Sequence, residues 1–175
     1  DVLKKLATEK DVGAVLVTHF YGLICNIKPI IKHQASLTTT GKTCPVDVLI
    51  ENEMDCPRYT GILIEDVTVG ESPKWIQNRL KSIGVRSINN IVDITNYILH
   101  DTGQPLHAFD ADKIKGSQVK IKNLSADTPF IGLDDKERKL DAGDLMICDA
   151  ENTPMCIGGV FGGNNSGVTD STKNI

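Results

Sequence analysis

Val119-Lys120-Ile121-Lys122, Phe130-Ile131-Gly132-Leu133, Arg138-Lys139-Leu140, Leu145-Met146-Ile147-Cys148-Asp149 and Met155-Cys156-Ile157 follow one another in close succession. The first alternates apolar and charged residues, the period of two expected of a half-buried strand. Phe130–Leu133 and Arg138–Leu140 flank Asp134-Asp135, an arrangement that reads as a hairpin with a tight turn. Upstream, Val46–Glu51 and Tyr59–Val67 are strand-like and separated by a polar turn from Asn52 to Pro57. Two helices interrupt this run. Ser72-Pro73 predicts a hydroxyl N-cap followed by proline at the first helical position. Ile76, Leu80 and Ile83 follow at helical spacing, and Gly84 supplies a stop. The second helix is expected over residues 89–101, with Ile91, Ile94 or Thr95, and Ile98 on one side. Strands without regular βαβ alternation place the chain in the α+β class. The expected architecture is a mostly antiparallel sheet or barrel-like core with two helices packed on it, in a layered β/β/α arrangement.

Outside this block the signals thin. Residues 1–9 carry a helical pattern, Gly13–Phe20 reads as a short buried strand, and Leu37–Thr43 as a polar linker. Residues 1–44 are therefore an unassigned lead-in, and residues 45–175 the organised unit. The chain starts at Asp1 and stops at Lys173-Asn174-Ile175 without a helix cap or polar tail, which reads as a piece of a longer polypeptide. No apolar run approaches the roughly 20 residues of a membrane span, and nothing reads as a signal peptide. Lys and Arg number 19 against 23 Asp and Glu, a net charge of −4. That argues against a dedicated nucleic-acid clamp, though not against a module that meets RNA within something larger. The five cysteines are widely spaced with no C-x-x-C pair; they read as buried small hydrophobes in a reducing cytoplasm, not as a disulfide framework or zinc site.

Three segments could carry chemistry. Arg86, in Gly84-Val85-Arg86-Ser87-Ile88, is either a surface charge or a planar five-donor group for a phosphate or nucleotide. Thr95 and Asn96 sit late in an apolar helix, where polar groups need partners. His107, in Gly103-Gln104-Pro105-Leu106-His107-Ala108-Phe109-Asp110, is either a satisfied structural histidine or a group that carries a proton or orients water. No serine or cysteine is placed as its nucleophile, so a covalent triad has little support. Finally, Gly158-Gly159-Val160-Phe161-Gly162-Gly163 lets backbone approach a ligand closely. Its spacing is neither that of a P-loop nor a convincing dinucleotide fingerprint.

Taken together, Cys56–Gly61, Ser72-Pro73-Lys74-Trp75, Gly84–Ile88, Val92–Tyr97, Gly103–Asp110 and Gly158–Gly163 match one family in order and spacing. Over residues 45–175 the chain resembles the central editing module of the bacterial phenylalanyl-tRNA synthetase β subunit. Residues 1–35 do not match the upstream pattern. The resemblance implies a cytoplasmic phenylalanine–tRNA ligase of two α and two β subunits that uses ATP and magnesium, with its synthetic centre mainly on the absent α subunit. No cofactor or metal is expected in this segment. The module would hydrolyse the ester of tyrosine wrongly attached to phenylalanine tRNA. By the same resemblance His107 is the catalytic residue, orienting the ester or a water. Arg86 would hold the terminal adenosine, Thr95 and Asn96 would place the amino acid or water, and Gly159 and Gly162 would leave room for the tyrosyl ring. The tRNA's own ribose hydroxyl would assist.

There are departures. The family's acidic acceptor for the tyrosine hydroxyl, and a further Thr-x-Ala strand, fall beyond Ile175, so this segment is expected to edit poorly or not at all. Asn164 stands where relatives often carry an acid, and Asp135 where they often carry glycine. Other readings are a non-catalytic module that positions tRNA or neighbouring domains, and a free-standing relative that binds a small ligand.

Overall fold

In a computed structural model, residues 43–175 are described; the helix, strand and most of the linker expected over residues 1–43 lie outside them. Seven strands and two α-helices, with two short 3-10 turns at Ala111–Lys113 and Lys115–Ser117, make up the described chain: β1 (Asp47–Ile50), α1 (Lys74–Ser82), α2 (Asn90–Thr102), β2 (Gln118–Asn123), β3 (Pro129–Ile131), β4 (Glu137–Lys139), β5 (Leu145–Cys148), β6 (Pro154–Ile157) and β7 (Phe161–Gly162). The main sheet has the order β1-β2-β5-β6-β7. Only β1 and β2 run parallel, with Val48 beside Val119 and Ile50 beside Ile121; the remaining pairs are antiparallel. A register shift between Ile147 and Cys148 marks a bulge in β5, a common way to bend a strand.

The hairpin β3–β4 does not float free. A bridge joins Gly132 to Gly163, and Leu133 N–H donates to the Gly162 carbonyl (3.0 Å) while Asn164 N–H donates to that of Ile131 (3.1 Å). The chain of pairing thus runs from β1 through β7 into the hairpin, which folds over one face of the sheet. Phe130 and Leu140 there cover Met146 and Cys148. On the other face Val119, Ile121, Ile147 and Cys156 pack with Cys56, Phe109 and Met155. The described residues contain no closed barrel: β1 and β4 are separate edges that do not pair.

The helices depart most from expectation. Ile76 and Leu80 of α1 pack on Tyr97 and Ile98 of α2 in a cluster of their own, with Trp75 edge-on to Tyr97 at 5.4 Å. They bury their apolar stripes on each other, and a cavity separates them from the sheet. Ser72 is not a cap: Pro73 occupies that position without a side-chain bond, and the Ser72 hydroxyl donates to Asp93. Asn89 does cap α2, accepting from Val92 N–H, and Gly103 ends it at φ 73°, the left-handed geometry glycine suits. Residues 59–67 form no strand. Asp66 takes φ 59°, which interrupts an extended run, and the segment's ladder-like bonds go to the chain end: Ile64 and Ile175 exchange two, at 2.8 and 3.0 Å. Among the described thiols Cys56, Cys148 and Cys156 are buried, whereas Cys44 is exposed, against expectation. The sequence reading also missed β7, whose two residues carry no alternation to detect.

Candidate functional site

The cavity between helices and sheet holds about 880 Å³. Val48 and Val119 line it from the sheet, Ile94 and Thr95 from α2, Gly61 from the 59–67 segment, and His107 from the loop after α2. The volume is in the range of small-molecule sites, and the walls are mostly apolar with a few polar groups.

His107 reaches it because Gly103 turns the chain and Pro105 stiffens the residues after it. Further on the loop is anchored from several directions. Asp110 N–H donates to the Ser166 carbonyl (3.0 Å) and Ala111 N–H to that of Asn174 (2.8 Å). The buried Asp110 carboxylate accepts from the Thr172 hydroxyl at 2.7 Å. The imidazole leans on Phe109, ring centres 4.4 Å apart. Burial pushes its pKa down to about 4, so near pH 7 the ring is neutral, with one nitrogen donating and the other accepting.

Gly162 meets the same imidazole. A Cβ at that position would lie 2.7 Å from His107 Cε1 and 2.9 Å from Leu133 Cδ1. Only glycine lets the strand run there without displacing one of them. Gly159 is different: it sits in the exposed turn after β6, at φ 72°, where it serves the turn.

Thr95 shares the cavity with His107. Its hydroxyl proton goes to the Val92 carbonyl at 2.8 Å, so the oxygen is left to accept. Asn96, half-buried on the next position of α2, is not among the lining residues, and neither is Arg86. Arg86 is exposed on the loop between the helices. That loop is tied to α2 by Asp93, which is fully buried and accepts from the Ser72 and Ser87 hydroxyls and from Ile88 N–H. The structure therefore brings together His107, Thr95 and Gly162, and holds Arg86, Asn96 and Gly159 outside the cavity lining.

Burial pushes the thiols of Cys148 and Cys156 up to about 11 and about 12, which keeps them protonated and poor nucleophiles. Among the described residues no group of three or more His, Cys, Asp or Glu could hold a metal ion. Sequence reasoning missed Leu133 as a neighbour of His107. The only signal was the bridge-forming hairpin itself, and no periodicity reports which strand its edge will meet.

Residues 55–175 match the B3/4 domain family. The phenylalanine–tRNA ligase β subunit of Porphyromonas gingivalis is 58% identical over 130 residues, which is 74% of this chain and 16% of that protein. That of Bacteroides thetaiotaomicron is 57% identical over the same shares. The chain thus spans about one-sixth of the length of the relatives it matches. Among solved structures, an N-terminal fragment of the phenylalanyl-tRNA synthetase β subunit from Pyrococcus horikoshii shares the fold. Its TM-score is 0.52 at 18% identity, covering 79% of this chain and 44% of that one.

Proposed function

The chain belongs to the B3/4 domain family, in the form carried by phenylalanine–tRNA ligase β subunits, and on that premise we propose that residues 45–175 are the editing module of such a subunit. The module cleaves the ester that joins tyrosine to phenylalanine tRNA. The observation that carries this reading is the neutral His107 imidazole standing between a mostly apolar cavity and the bare Cα of Gly162.

The chemistry is ester hydrolysis. Water attacks the carbonyl carbon and the bond to the ribose oxygen breaks; one of the water's protons goes to the ribose oxygen, the other to solvent, and tyrosine leaves as its carboxylate. A ring with a pKa near 4 is a weak base at pH 7. His107 therefore acts by hydrogen bonding, orienting the water or the ester, and does not hold the proton outright. Thr95 offers an acceptor for the substrate ammonium or the water. Arg86, exposed beyond the head of α2, suits the phosphates and terminal adenosine of the tRNA. Gly159 and Asn96 would border the ligand only once the tRNA end is seated. The need for such a site is energetic: an apolar synthetic pocket discriminates poorly against a substrate that merely adds a hydroxyl. The partners are phenylalanine tRNA and an α subunit in a cytoplasmic α2β2 ligase. ATP and magnesium serve its separate synthetic centre.

The test uses the assembled two-subunit enzyme that carries this segment. His107→Ala and Arg86→Ala should each lower release of tyrosine from tyrosyl-tRNA at least ~10-fold while phenylalanine charging continues. Lost tRNA binding with normal release would instead assign a positioning role.

A further inference from the structure

The hairpin tip carries a cluster of side chains around Arg138. Arg138 extends both guanidinium nitrogens to Asp134, each at 2.8 Å, and lies over the Phe161 ring with its carbon 4.9 Å from the centre. It also donates to the Lys136 carbonyl at 3.2 Å. Phe161 immediately precedes Gly162, and Leu133 immediately precedes Asp134. The guanidinium therefore ties Asp134 to the Phe161 ring, and of their chain neighbours Leu133 approaches the imidazole at the vacant Cβ position of Gly162. Gly132 makes room for this: a Cβ there would lie 2.5 Å from Phe161 Cε1 and 2.8 Å from Arg138 Nη1. A further tie joins the same two segments, Asn164 Nδ2 donating to Asp135 Oδ1 at 3.2 Å.

Both partners of the ion pair are about one-third exposed. Pairs of that kind contribute little to global stability, and the planar fork instead restricts geometry. Leu133 itself is 55% exposed, so burial does not hold it; its backbone N–H donates to the Gly162 carbonyl at 3.0 Å.

We propose that Arg138 is a positioning residue of the His107 site: by holding Asp134 and the Phe161 ring, it keeps Leu133 as a wall against the imidazole above Gly162. That the wall then bounds an ester rests on the reading of the cavity as an editing site; the clamp does not rest on it.

The test reads His107 directly, by NMR titration of its ring proton in the 175-residue chain, with the melting profile of each variant recorded. The carboxylates among the cavity-lining residues are Glu65, Asp66 and Glu71, which all variants retain. On the hairpin side the charged groups are Asp134, Asp135, Lys136, Glu137 and Arg138. Opening the wall hydrates the ring, so its midpoint rises toward that of a free histidine, by about one pH unit. Leu133→Ala changes no charge and should give that rise. Arg138→Ala and Asp134→Asn remove opposite charges; both should raise the midpoint if the clamp acts through geometry. Arg138→Lys keeps the charge but loses the fork and should restore little. Shifts of opposite sign in Arg138→Ala and Asp134→Asn would reduce the pair to a local field and overturn the proposal. So would unchanged midpoints in all four variants. Failure here leaves the ester reading standing, and failure of the enzyme assay leaves the clamp standing.

Discussion

His107 owes its character to its surroundings. The unfolded chain would titrate it near 6.5 and the folded one near 4, because burial disfavours the imidazolium. Proton counting sets the sign of the consequence. Below pH 6.5 the unfolded state takes up a proton that the native state refuses, so stability falls as pH drops to about 4 and is level beyond. The ceiling is about 3 kcal/mol. Urea unfolding at pH 7 and pH 4 should show His107→Gln losing less stability over that interval than the parent chain; equal losses would mean the ring is hydrated. At this scale the sequence was partly legible. The Gly103–Asp110 motif singled out His107, whereas its meeting with Gly162 and Leu133 joins a loop to distant parts of the chain through the Gly132–Gly163 bridge, which no local pattern encodes. Two departures from the family pattern also proved to be partners. Asp135 adopts φ 57°, the region that favours glycine, and its carboxylate accepts from Asn164. An acid at 164 would face a second acid there.

Elements were more legible where periodicity announced them. β2, β5 and β6 fall close to where alternation and apolar runs put them, and α2 lies within a residue of its expected span, although its Asn89 and Gly103 caps were not read as such. The Ser72-Pro73 signal was right about the helix and wrong about the serine: Pro73 takes the cap position, which leaves Ser72 one residue outside the helix with its hydroxyl donating to the buried Asp93 carboxylate. Asp93 gathers that hydroxyl, the one of Ser87 and Ile88 N–H. It thereby ties the start of α1 and the Arg86 loop to α2. Asp93→Ala would leave three donors without their acceptor and should cost about 3 kcal/mol in urea unfolding. A loss below about 1 kcal/mol would mean the loops find other partners. The 59–67 segment misled for a different reason: β-branched residues make it extended, but its backbone has the chain end for a neighbour and no sheet.

Across the whole molecule, one sheet with apolar side chains on both faces is covered by a hairpin on one side and core loops on the other, while the helix pair stands across a cavity. The α+β class was legible from the mixture of periods. The separation of helices from sheet was not, because a helix stripe reports that a face is buried and not what buries it. That separation leaves an 880 Å³ space in a chain whose charge of −4 gives it no strong affinity for RNA by itself, consistent with a site that the rest of an enzyme loads. The most direct test of the central claim places a methyl group against the His107 ring. In the assembled enzyme carrying Gly162→Ala, tyrosine release from preformed tyrosyl-tRNA for phenylalanine is measured beside phenylalanyl-tRNA as the control ester. A Cβ 2.7 Å from His107 Cε1 should displace the ring and lower tyrosine release ~10-fold or more, with phenylalanine charging unchanged; undiminished release would show that hydrolysis occurs away from His107.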